Sequence, residues 1–239
     1  MPAALMLAPG LWRVPTVRWD LVNSFLVRAE DGGVTLVDTG LKSAPARILA
    51  ALAEVGSGPA DVTTIVLTHA HVDHAGGAAE LAQRTHHGIT VHEDDAEFVR
   101  TGKSAPTDGS MRLGRLMSRA PRDVPAAPVE RTMADGELLS GSGLRVHHTP
   151  GHTPGHCSLL HEASGTLITG DSIWNMRSRR TWPVLAFCTN AALNEQTATT
   201  LADLEYTTAA FTHGPDITGT GRDAIREFLT HPTRFGPAL

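Results

Sequence analysis

The sequence contains few cysteines, few aromatic residues and no long apolar run. Its two cysteines, Cys157 and Cys188, are too few for a disulfide framework and form no CxxC pair, which favours a reducing compartment. No apolar stretch approaches the roughly 18 residues that a membrane-spanning helix needs. Residues 1–7 are apolar but lack the positively charged flank of a signal peptide. The sequence therefore predicts a cytoplasmic protein without a membrane partner.

Positive charge is also scarce. The 20 Lys and Arg residues are outnumbered by 25 Asp and Glu residues, which gives a formal net charge of −5. Nucleic-acid-binding proteins ordinarily carry a basic patch, so this balance argues against nucleic acid as a partner. A small-molecule substrate is expected instead, and the oligomeric state stays open.

Short strands and amphipathic helices alternate along most of the chain. Apolar runs of strand length occur at 11–14, 22–28, 34–38, 64–68, 89–92, 144–148, 158–161, 166–169 and 209–212. Apolar residues at helical spacing occur at 44–55, 76–84, 93–100, 191–204 and 222–229. The polar pair Asn23-Ser24 and the Gly-rich turn at 31–33 are interpreted as breaks among the first strands. This order predicts a mixed fold of sheets and helices.

Residues 101–135 have a weaker periodicity than their surroundings. One apolar stripe there is formed by Leu113, Leu116, Met117 and Ala120. We interpret this segment as an inserted helix followed by a proline-rich loop, and as a candidate lid. Because the length of 239 residues suits one compact α/β unit, we expect a single domain over residues 1–239 that includes this helical insertion.

Histidine is abundant, with 13 residues, and several are clustered. Four potential metal ligands, His69, His71, Asp73 and His74, fall within six residues directly after the predicted strand at 64–68. In extended backbone, side chains two residues apart point to the same side, so His69 and His71 can share one ion. Asp73 and His74 follow where the chain turns towards a helix. One short turn can therefore offer ligands to two metal ions.

Three further candidate ligands stand at the ends of later strands. They are His152, Asp171 and His213, and each has a glycine beside it. Loops at strand ends commonly carry catalytic groups because a rigid sheet positions them. These separated positions are therefore candidates to converge on the first cluster.

Five motifs in a fixed order carry a resemblance to a known family. They are LVDTG at 36–40, HxHxDH at 69–74, PGH at 150–152, GD at 170–171 and THGP at 212–215. With these motifs the chain resembles the metallo-β-lactamase superfamily over nearly its whole length, from Asp38 to His213. The resemblance implies an α/β (α+β) fold, a four-layer αββα sandwich in which two mixed sheets pack between helices and a metal site lies along one edge.

The resemblance also implies roles for individual residues. A first metal ion would be held by His69, His71 and His152, and a second by Asp73, His74 and His213, with Asp171 bridging both. Nitrogen and oxygen ligands suit two Zn²⁺ ions, and Fe or Mn are alternatives. Asp38 would lie beneath the site and orient the loop or a ligand histidine without being a ligand.

The predicted function is that of a dinuclear metal-dependent hydrolase. Two ions about 3.5–4 Å apart can hold a bridging water whose pKa falls to about 7, so a hydroxide can attack an ester, lactone or thioester carbonyl. Asp73 is the predicted catalytic residue, since besides its ligand role it is expected to orient the hydroxide and pass a proton to the leaving group.

Substrate class follows from Asp171 and from two missing features. Asp171 resembles the bridging carboxylate of glyoxalase II-like thioesterases and lactonases, which disfavours a β-lactamase. Only 239 − 213 = 26 residues follow the last candidate ligand, too few for the glutathione-binding extension of glyoxalase II. The tyrosine that lactonases place near their metals has no counterpart, because Tyr206 is far from Asp171 in sequence. Lactone or ester hydrolysis is therefore the favoured prediction among these activities.

Several alternatives remain at this point. A mononuclear non-haem iron oxygenase, similar to persulfide dioxygenases of the same fold, would use Asp171 with His69 and either His152 or His71. A phosphodiesterase is disfavoured by the negative net charge, and a metal-binding protein without turnover is the remaining alternative. The basic cluster after Asp171 is interpreted as a solvated loop rather than an anion clamp; it comprises Arg177, Arg179 and Arg180.

Overall fold

A seven-stranded sheet forms one half of the computed structural model, which describes residues 2–110 and 123–234. Its strands β1 to β7 are Leu5–Ala8, Leu11–Val17, Val22–Arg28, Val34–Val37, Val62–Val66, Ile89–His92 and Val129–Met133. They lie in chain order across the sheet. Strands β1 to β4 pair antiparallel and β4 to β7 pair parallel, so the sheet is mixed.

A five-stranded sheet forms the other half. Strands β8 to β11 are Leu138–Leu139, Leu144–His148, Cys157–His161 and Thr166–Ile168. The hairpin strands β12 and β13, which form a separate two-stranded sheet, are Trp174–Met176 and Arg179–Thr181, and β14 is Thr208–Ala210. The order is β14-β11-β10-β9-β8, antiparallel except for the parallel pair β11–β14. Strands β9, β11 and β14 consequently run in the same direction.

Six α-helices are present in the described residues. Helices α1 to α6 are Pro45–Glu54, Val72–Ala75, Ala78–Thr85, Glu93–Thr101, Ala191–Thr197 and Gly221–Thr230. Helix α1 begins with a proline, whose fixed φ suits the first turn. At the start of α4 the His92 ring accepts a hydrogen bond from the Asp94 backbone N–H, and Gly102 ends the helix in the left-handed conformation. None of the helices in the described residues is long and apolar enough to cross a membrane.

Both sheets contribute residues to one apolar cluster that lies between them. Between the sheets, Phe25 and Val66 of the first sheet pack in one cluster with Leu159 and Ile168 of the second. Such two-sided burial explains why these strands appear as short continuous apolar runs in the sequence.

The outer faces of both sheets are covered by helices. On the first sheet, Leu36 and Ile65 share a cluster with Ile48 and Leu52 of α1. On the second sheet, an equivalent cluster joins strand residues to α6, with members Leu160, Leu167, Ile225 and Phe228. Helix, sheet, sheet and helix therefore form four layers, and the predicted αββα sandwich with two mixed sheets is confirmed.

The topology brings several strand ends to one edge of the molecule. Because β9, β11 and β14 run in the same direction, their carboxyl ends meet at the same edge of the second sheet. The loop after β5 of the first sheet joins them through a hydrogen bond from the Cys157 N–H to the Thr68 carbonyl, 2.9 Å long. The predicted ligands lie in the segments that directly follow these four strands, with Asp73 and His74 in the short helix α2.

The structure differs from the sequence-based prediction in several places, among them strands β1, β8, β12 and β13, which were not predicted. Asn23 and Ser24, interpreted as a break, lie inside β3 and are fully buried. Strand β7 lies in the segment interpreted as a proline-rich loop, and the predicted stripe at 113–120 lies outside the described residues. Helix α5 ends at Thr197 and continues only as a 3₁₀ turn at Ala198–Ala202.

Candidate metal centre

Each histidine of the predicted centre except His71 is held by its Nδ1 atom. His69 Nδ1 is hydrogen-bonded to Thr68 Oγ1 at 3.0 Å, and His74 Nδ1 donates to Asp38 Oδ2 at 2.8 Å. His213 Nδ1 donates to the Leu21 carbonyl at 2.5 Å, and His152 Nδ1 lies 3.4 Å from Cys188 Sγ. Outer partners of this kind fix the ring orientation of metal-binding histidines. The four Nε2 atoms are left to face a common centre.

The carboxylate of Asp171 lies at the middle of this arrangement. Its Oδ2 atom is 3.1 Å from His152 Nε2 and 4.0 Å from His69 Nε2. Its Oδ1 atom is 3.3 Å from His213 Nε2 and 3.4 Å from His74 Nε2. One oxygen therefore faces one pair of imidazoles and the other oxygen faces the second pair.

The remaining two predicted ligands complete both sides. His71 Nδ1 is 2.9 Å from His152 Nε2. Asp73 Oδ2 is 3.5 Å from His213 Nε2, and its Oδ1 is 3.9 Å from His74 Nε2. All seven predicted site residues are thus brought together, although they come from four separate segments.

The donor set fits metal ions. Three groups have ligand atoms within 4.8 Å of one another, and they are His69/His71/His152, His69/His74/Asp171 and Asp73/His74/His213. Within the described part of the chain, the buried His69 Nε2 atom has no hydrogen-bond partner. An unpartnered buried nitrogen is costly, and it becomes favourable when it binds a cation.

Electrostatics divide the centre into two sides. Burial lowers the pKa of His74, but the carboxylates of Asp171, Asp38 and Asp73 outweigh burial and raise that pKa to about 10. Burial and the neighbouring histidines lower the pKa values of His69 and His71 well below the usual range. These pKa shifts favour neutral imidazoles, the form that binds metals, at His69 and His71, and a protonated ring at His74.

Asp171 itself stays ionised. Burial raises its pKa, but His213, His74 and His152 outweigh burial and lower the pKa well below the usual range. Thr212 Oγ1 also donates a hydrogen bond to Asp171 Oδ1 at 2.8 Å. A buried, ionised carboxylate between two sets of imidazoles is a suitable ligand for more than one cation.

Asp38 acts on both the loop and a ligand histidine. Its carboxylate accepts hydrogen bonds from the Thr68 N–H at 2.8 Å and from His74 Nδ1 at 2.8 Å. The residue is fully buried and has a φ of 59°. Asp38 therefore lies behind His74 and outside the three ligand groups, in the position expected from the sequence.

Two residues that support predicted ligands, His156 and Asn23, were not predicted from the sequence. The neutral ring of His156 accepts the Asp171 N–H at 2.7 Å, and burial together with His152 lowers its pKa to about 3. The Asn23 amide donates to the carbonyls of Phe211 and Gly214, both at 2.9 Å, and so brackets His213. Both contacts join distant segments, and no local signal indicates either of them.

A second histidine group lies elsewhere in the molecule. The rings of His92 and His148 stack with centroids 3.9 Å apart and planes 12° apart, close to Asp94. Their nitrogen lone pairs lie in nearly parallel planes and do not converge on one point. His148 Nε2 is hydrogen-bonded to the Pro154 carbonyl at 2.9 Å. We refer to His92, Asp94 and His148 as the peripheral group.

Of the three arginines after Asp171, one has a defined partner. Arg180 pairs with Glu227 of α6 at 2.7 Å. It lies opposite Asn175 in the hairpin, on the face away from Trp174, whose ring is 4.3 Å from that of His213. Arg177, in the hairpin turn, and Arg179, in β13, are exposed, so the cluster forms part of a hairpin rather than the loop that was expected.

A buried cluster of histidines and aspartates at the edge of an αββα sandwich defines a class of metal-binding proteins. The family model of the metallo-beta-lactamase superfamily matches residues 17–213, and the chain belongs to this superfamily. Among solved structures, the metallo-beta-lactamase family protein TTHA1429 from Thermus thermophilus is similar with a TM-score of 0.69 and 27% identity, covering 95% of this chain and 80% of that chain.

Curated relatives point in the same direction. The probable metallo-hydrolase YybB of Bacillus subtilis (strain 168) is 27% identical over 206 residues, which cover 86% of this chain and 83% of the relative. A hydroxyacylglutathione hydrolase of Rhodopseudomonas palustris (strain BisB18) is 29% identical over 167 residues, covering 67% of this chain and 53% of the relative. The chain thus spans about half the length of that enzyme. Together with the donor groups, family and relatives support a metal-dependent hydrolase.

Proposed function

We propose that this protein is a dinuclear metal-dependent hydrolase that opens an ester, lactone or thioester bond of a small molecule. The observation that carries the proposal is the division of the Asp171 carboxylate between two donor groups. Its Oδ2 atom faces His152 and His69, and its Oδ1 atom faces His74 and His213. A carboxylate with this geometry is suited to bridge two metal ions.

The two donor groups suggest which metals are used. His69, His71 and His152 would hold one ion, and Asp73, His74 and His213 the other. Nitrogen and oxygen donors without a thiolate favour two Zn²⁺ ions, with Fe or Mn as alternatives. When bound, such ions would supply a water of lowered pKa and would polarise the substrate carbonyl.

Asp73 is the candidate for proton transfer. Its side chain is 30% exposed, whereas those of Asp171 and His74 are buried, so among these groups it is the one that a substrate can reach. With Oδ2 3.5 Å from His213 Nε2, the carboxylate can orient a water with one oxygen and receive its proton. The same group can then deliver that proton to the leaving oxygen, sulfur or nitrogen.

Substrate class is inferred from the residues and the relatives together. A hydroxyacylglutathione hydrolase among the relatives supports thioester or ester chemistry. The net charge of −5 argues against a nucleic-acid substrate. The proposed substrate range therefore comprises lactones, esters and thioesters. We also propose that the protein acts in the cytoplasm.

Metal analysis combined with a substrate panel tests the proposal. Purified protein is analysed for Zn, Fe and Mn and is assayed on esters, lactones, thioesters, a β-lactam and a phosphodiester. Two equivalents of metal with turnover of an ester, lactone or thioester support the proposal. One equivalent of iron with thiol-dependent oxygen uptake, or metal-replete protein that is inert across the panel, contradicts it.

A further inference from the structure

A buried carboxylate on helix α4 contacts two of the loops that carry predicted ligands. Asp95 is fully buried. Its Oδ2 atom accepts hydrogen bonds from the Ala70 N–H at 2.9 Å and from Thr153 Oγ1 at 2.7 Å. Its Oδ1 atom accepts the Gly155 N–H at 2.7 Å. Asp95 is therefore hydrogen-bonded to three donors outside its own helix.

The donors belong to the loops that hold the first predicted metal ion. Ala70 stands between His69 and His71 in the loop after β5 of the first sheet. Thr153 directly follows His152 in the loop between β9 and β10 of the second sheet. The three histidines thus come from two different sheets, and no β-ladder sets their separation. The Cys157–Thr68 backbone hydrogen bond and the Asp95 carboxylate join these loops directly.

The two carboxylate oxygens of Asp95 together accept from all three donors. A carboxylate is acceptor-only, with two oxygens that can each receive more than one hydrogen bond. An amide of the same shape would turn an NH₂ group towards either the Gly155 N–H or the Ala70 N–H. Contact is also close, because a Cβ atom on residue 155 would lie 2.6 Å from the Asp95 nitrogen. The loops therefore have little room to adjust around another group.

A role limited to helix α4 does not account for these contacts. Acidic residues in a first helical turn are commonly explained by the helix dipole, and Glu93 and Asp94 supply such charge here as well. The side-chain cap of this helix is the His92 ring. In the described residues, no Lys, Arg or His forms an ion pair with Asp95, whose oxygens are directed at the two loops.

We propose that Asp95 is a positioning residue for the metal centre, which sets the separation of His69 and His71 from His152 and thereby the retention of the ion they share. This inference rests on the metal binding of the proposed function. It assigns to Asp95 no contact with substrate or metal. Its effect passes through Ala70, Thr153 and Gly155.

The test compares Asp95→Asn with Asp94→Asn. Both variants remove one negative charge from the first turn of α4, but the Asp94 side chain is half-exposed and accepts no hydrogen bond from either loop. Zn²⁺ affinity is measured by competition with a chromophoric chelator, together with the visible spectrum of the Co²⁺-substituted protein and the melting temperature with and without metal. Replacing a residue that orients a metal ligand typically lowers the metal affinity by about 10–100-fold.

For Asp95→Asn we expect a loss of that size for one of two ions, a changed Co²⁺ spectrum and a smaller rise in melting temperature on adding metal. Asp94→Asn should match the wild type in all three measurements. A merely structural role would instead lower the melting temperature of the metal-free protein and leave the Zn²⁺ affinity and the spectrum unchanged.

A second pair of variants decides the matter if Asp95→Asn does not fold. Thr153→Val removes one donor while keeping the shape, and Thr153→Ser keeps the hydroxyl. We expect reduced Zn²⁺ affinity in the first and wild-type affinity in the second. Wild-type affinity in both Asp95→Asn and Thr153→Val, or in Thr153→Val alone where Asp95→Asn does not fold, overturns this inference alone. A wild-type protein that takes up no metal overturns the proposed function and this inference with it.

Discussion

The described part of the chain contains a central and a peripheral group of histidines and aspartates, and the two differ in geometry rather than in composition. The central group consists of the seven predicted metal ligands. Four of its imidazoles are held at Nδ1 and turn Nε2 towards Asp171, with separations of 3.1 to 4.0 Å between Nε2 and the nearer carboxylate oxygen. In the peripheral group, His92 and His148 stack face to face at 3.9 Å. Both groups place potential ligand atoms within 4.8 Å of one another. The two groups are therefore alike in the proximity of their potential ligand atoms, and the central group differs in having imidazole nitrogens that converge on a buried carboxylate.

The charges of the two groups differ in the same sense. Three carboxylates raise the pKa of His74 to about 10 in spite of burial, so the central group attracts cations. In the peripheral group burial, reinforced by His148, lowers the pKa of His92. Asp94 is half-exposed there and is screened by solvent. In the peripheral group, burial therefore favours the neutral form of His92, which stacks on the His148 ring.

Replacing the shared carboxylate should have the largest effect. In Asp171→Ala we expect both ions to be lost and turnover to fall by more than the roughly 10–100-fold typical of residues that only orient ligands, because one side chain serves both donor groups. Elemental analysis and kcat/KM on the best substrate of the panel provide the measurement. A variant that keeps two metal ions and the full rate would show that the bridging role is wrong.

Removing the metal should have the second-largest effect, which is a loss of folding stability. A ligand that binds only the folded state stabilises it by about 4 kcal/mol at a thousandfold excess over Kd. In a domain of this size, each kcal/mol of stability that is lost lowers the melting temperature by about 2–4 °C. The midpoint is measured by calorimetry before and after chelation, and after Zn²⁺ is restored. The comparison between the two groups fails if His148→Ala abolishes this shift.

Asp38→Asn should weaken the central group by a smaller amount. Asparagine tolerates the positive φ found at this position, but its NH₂ group cannot accept the His74 Nδ1 proton while its oxygen accepts the Thr68 N–H. We expect a 10–100-fold loss in Zn²⁺ affinity or kcat, about the size found when the outer partner of a ligand histidine is replaced. Unchanged affinity and rate would mean that His74 is oriented by other contacts.

His148→Ala should leave the metal content unchanged. The substitution removes one of two stacked rings, and we expect it to cost about 1 kcal/mol of folding stability, the order found for aromatic pairs. Zinc stoichiometry, measured after dialysis, should equal that of the wild type. One metal equivalent fewer in this variant would place an ion in the peripheral group and remove the distinction drawn above.

Much of the fold and the set of candidate ligands could be predicted from local patterns in the sequence. The HxHxDH run compresses four ligands into six residues, and the other three each follow a predicted strand. Strand β7 was missed because only Met133 of its five residues is buried, which leaves no alternation to detect. The β12–β13 hairpin was missed because its turn places Arg177 and Ser178 at positive φ, where Asn or Gly is the usual signal.

The residues that support the ligands could not be predicted in the same way. Asp95 is 58 residues from Thr153, and Asn23 is 188 residues from Phe211, so the sequence provides no spacing that links them. Their residue types also have simpler local explanations, as a helix-start aspartate and a polar break. Only the packing of the two sheets brings these groups to the loops that they hold.

The smallest expected effect concerns pH and the peripheral group. Burial, then His148, lowers the pKa of His92, although Asp94, Glu93 and Asp135 oppose the shift. The unfolded chain, with a histidine pKa of about 6.5, therefore takes up this proton more readily, and His92 reduces stability as pH falls through that value. His92→Asn keeps an acceptor for the Asp94 N–H and removes the titration. The stability of this variant relative to the wild type, measured by denaturant unfolding of zinc-loaded protein, should rise between pH 7 and pH 5. A difference that is constant with pH would mean that His92 does not resist protonation, and the contrast with the carboxylate-rich centre would lose its electrostatic basis.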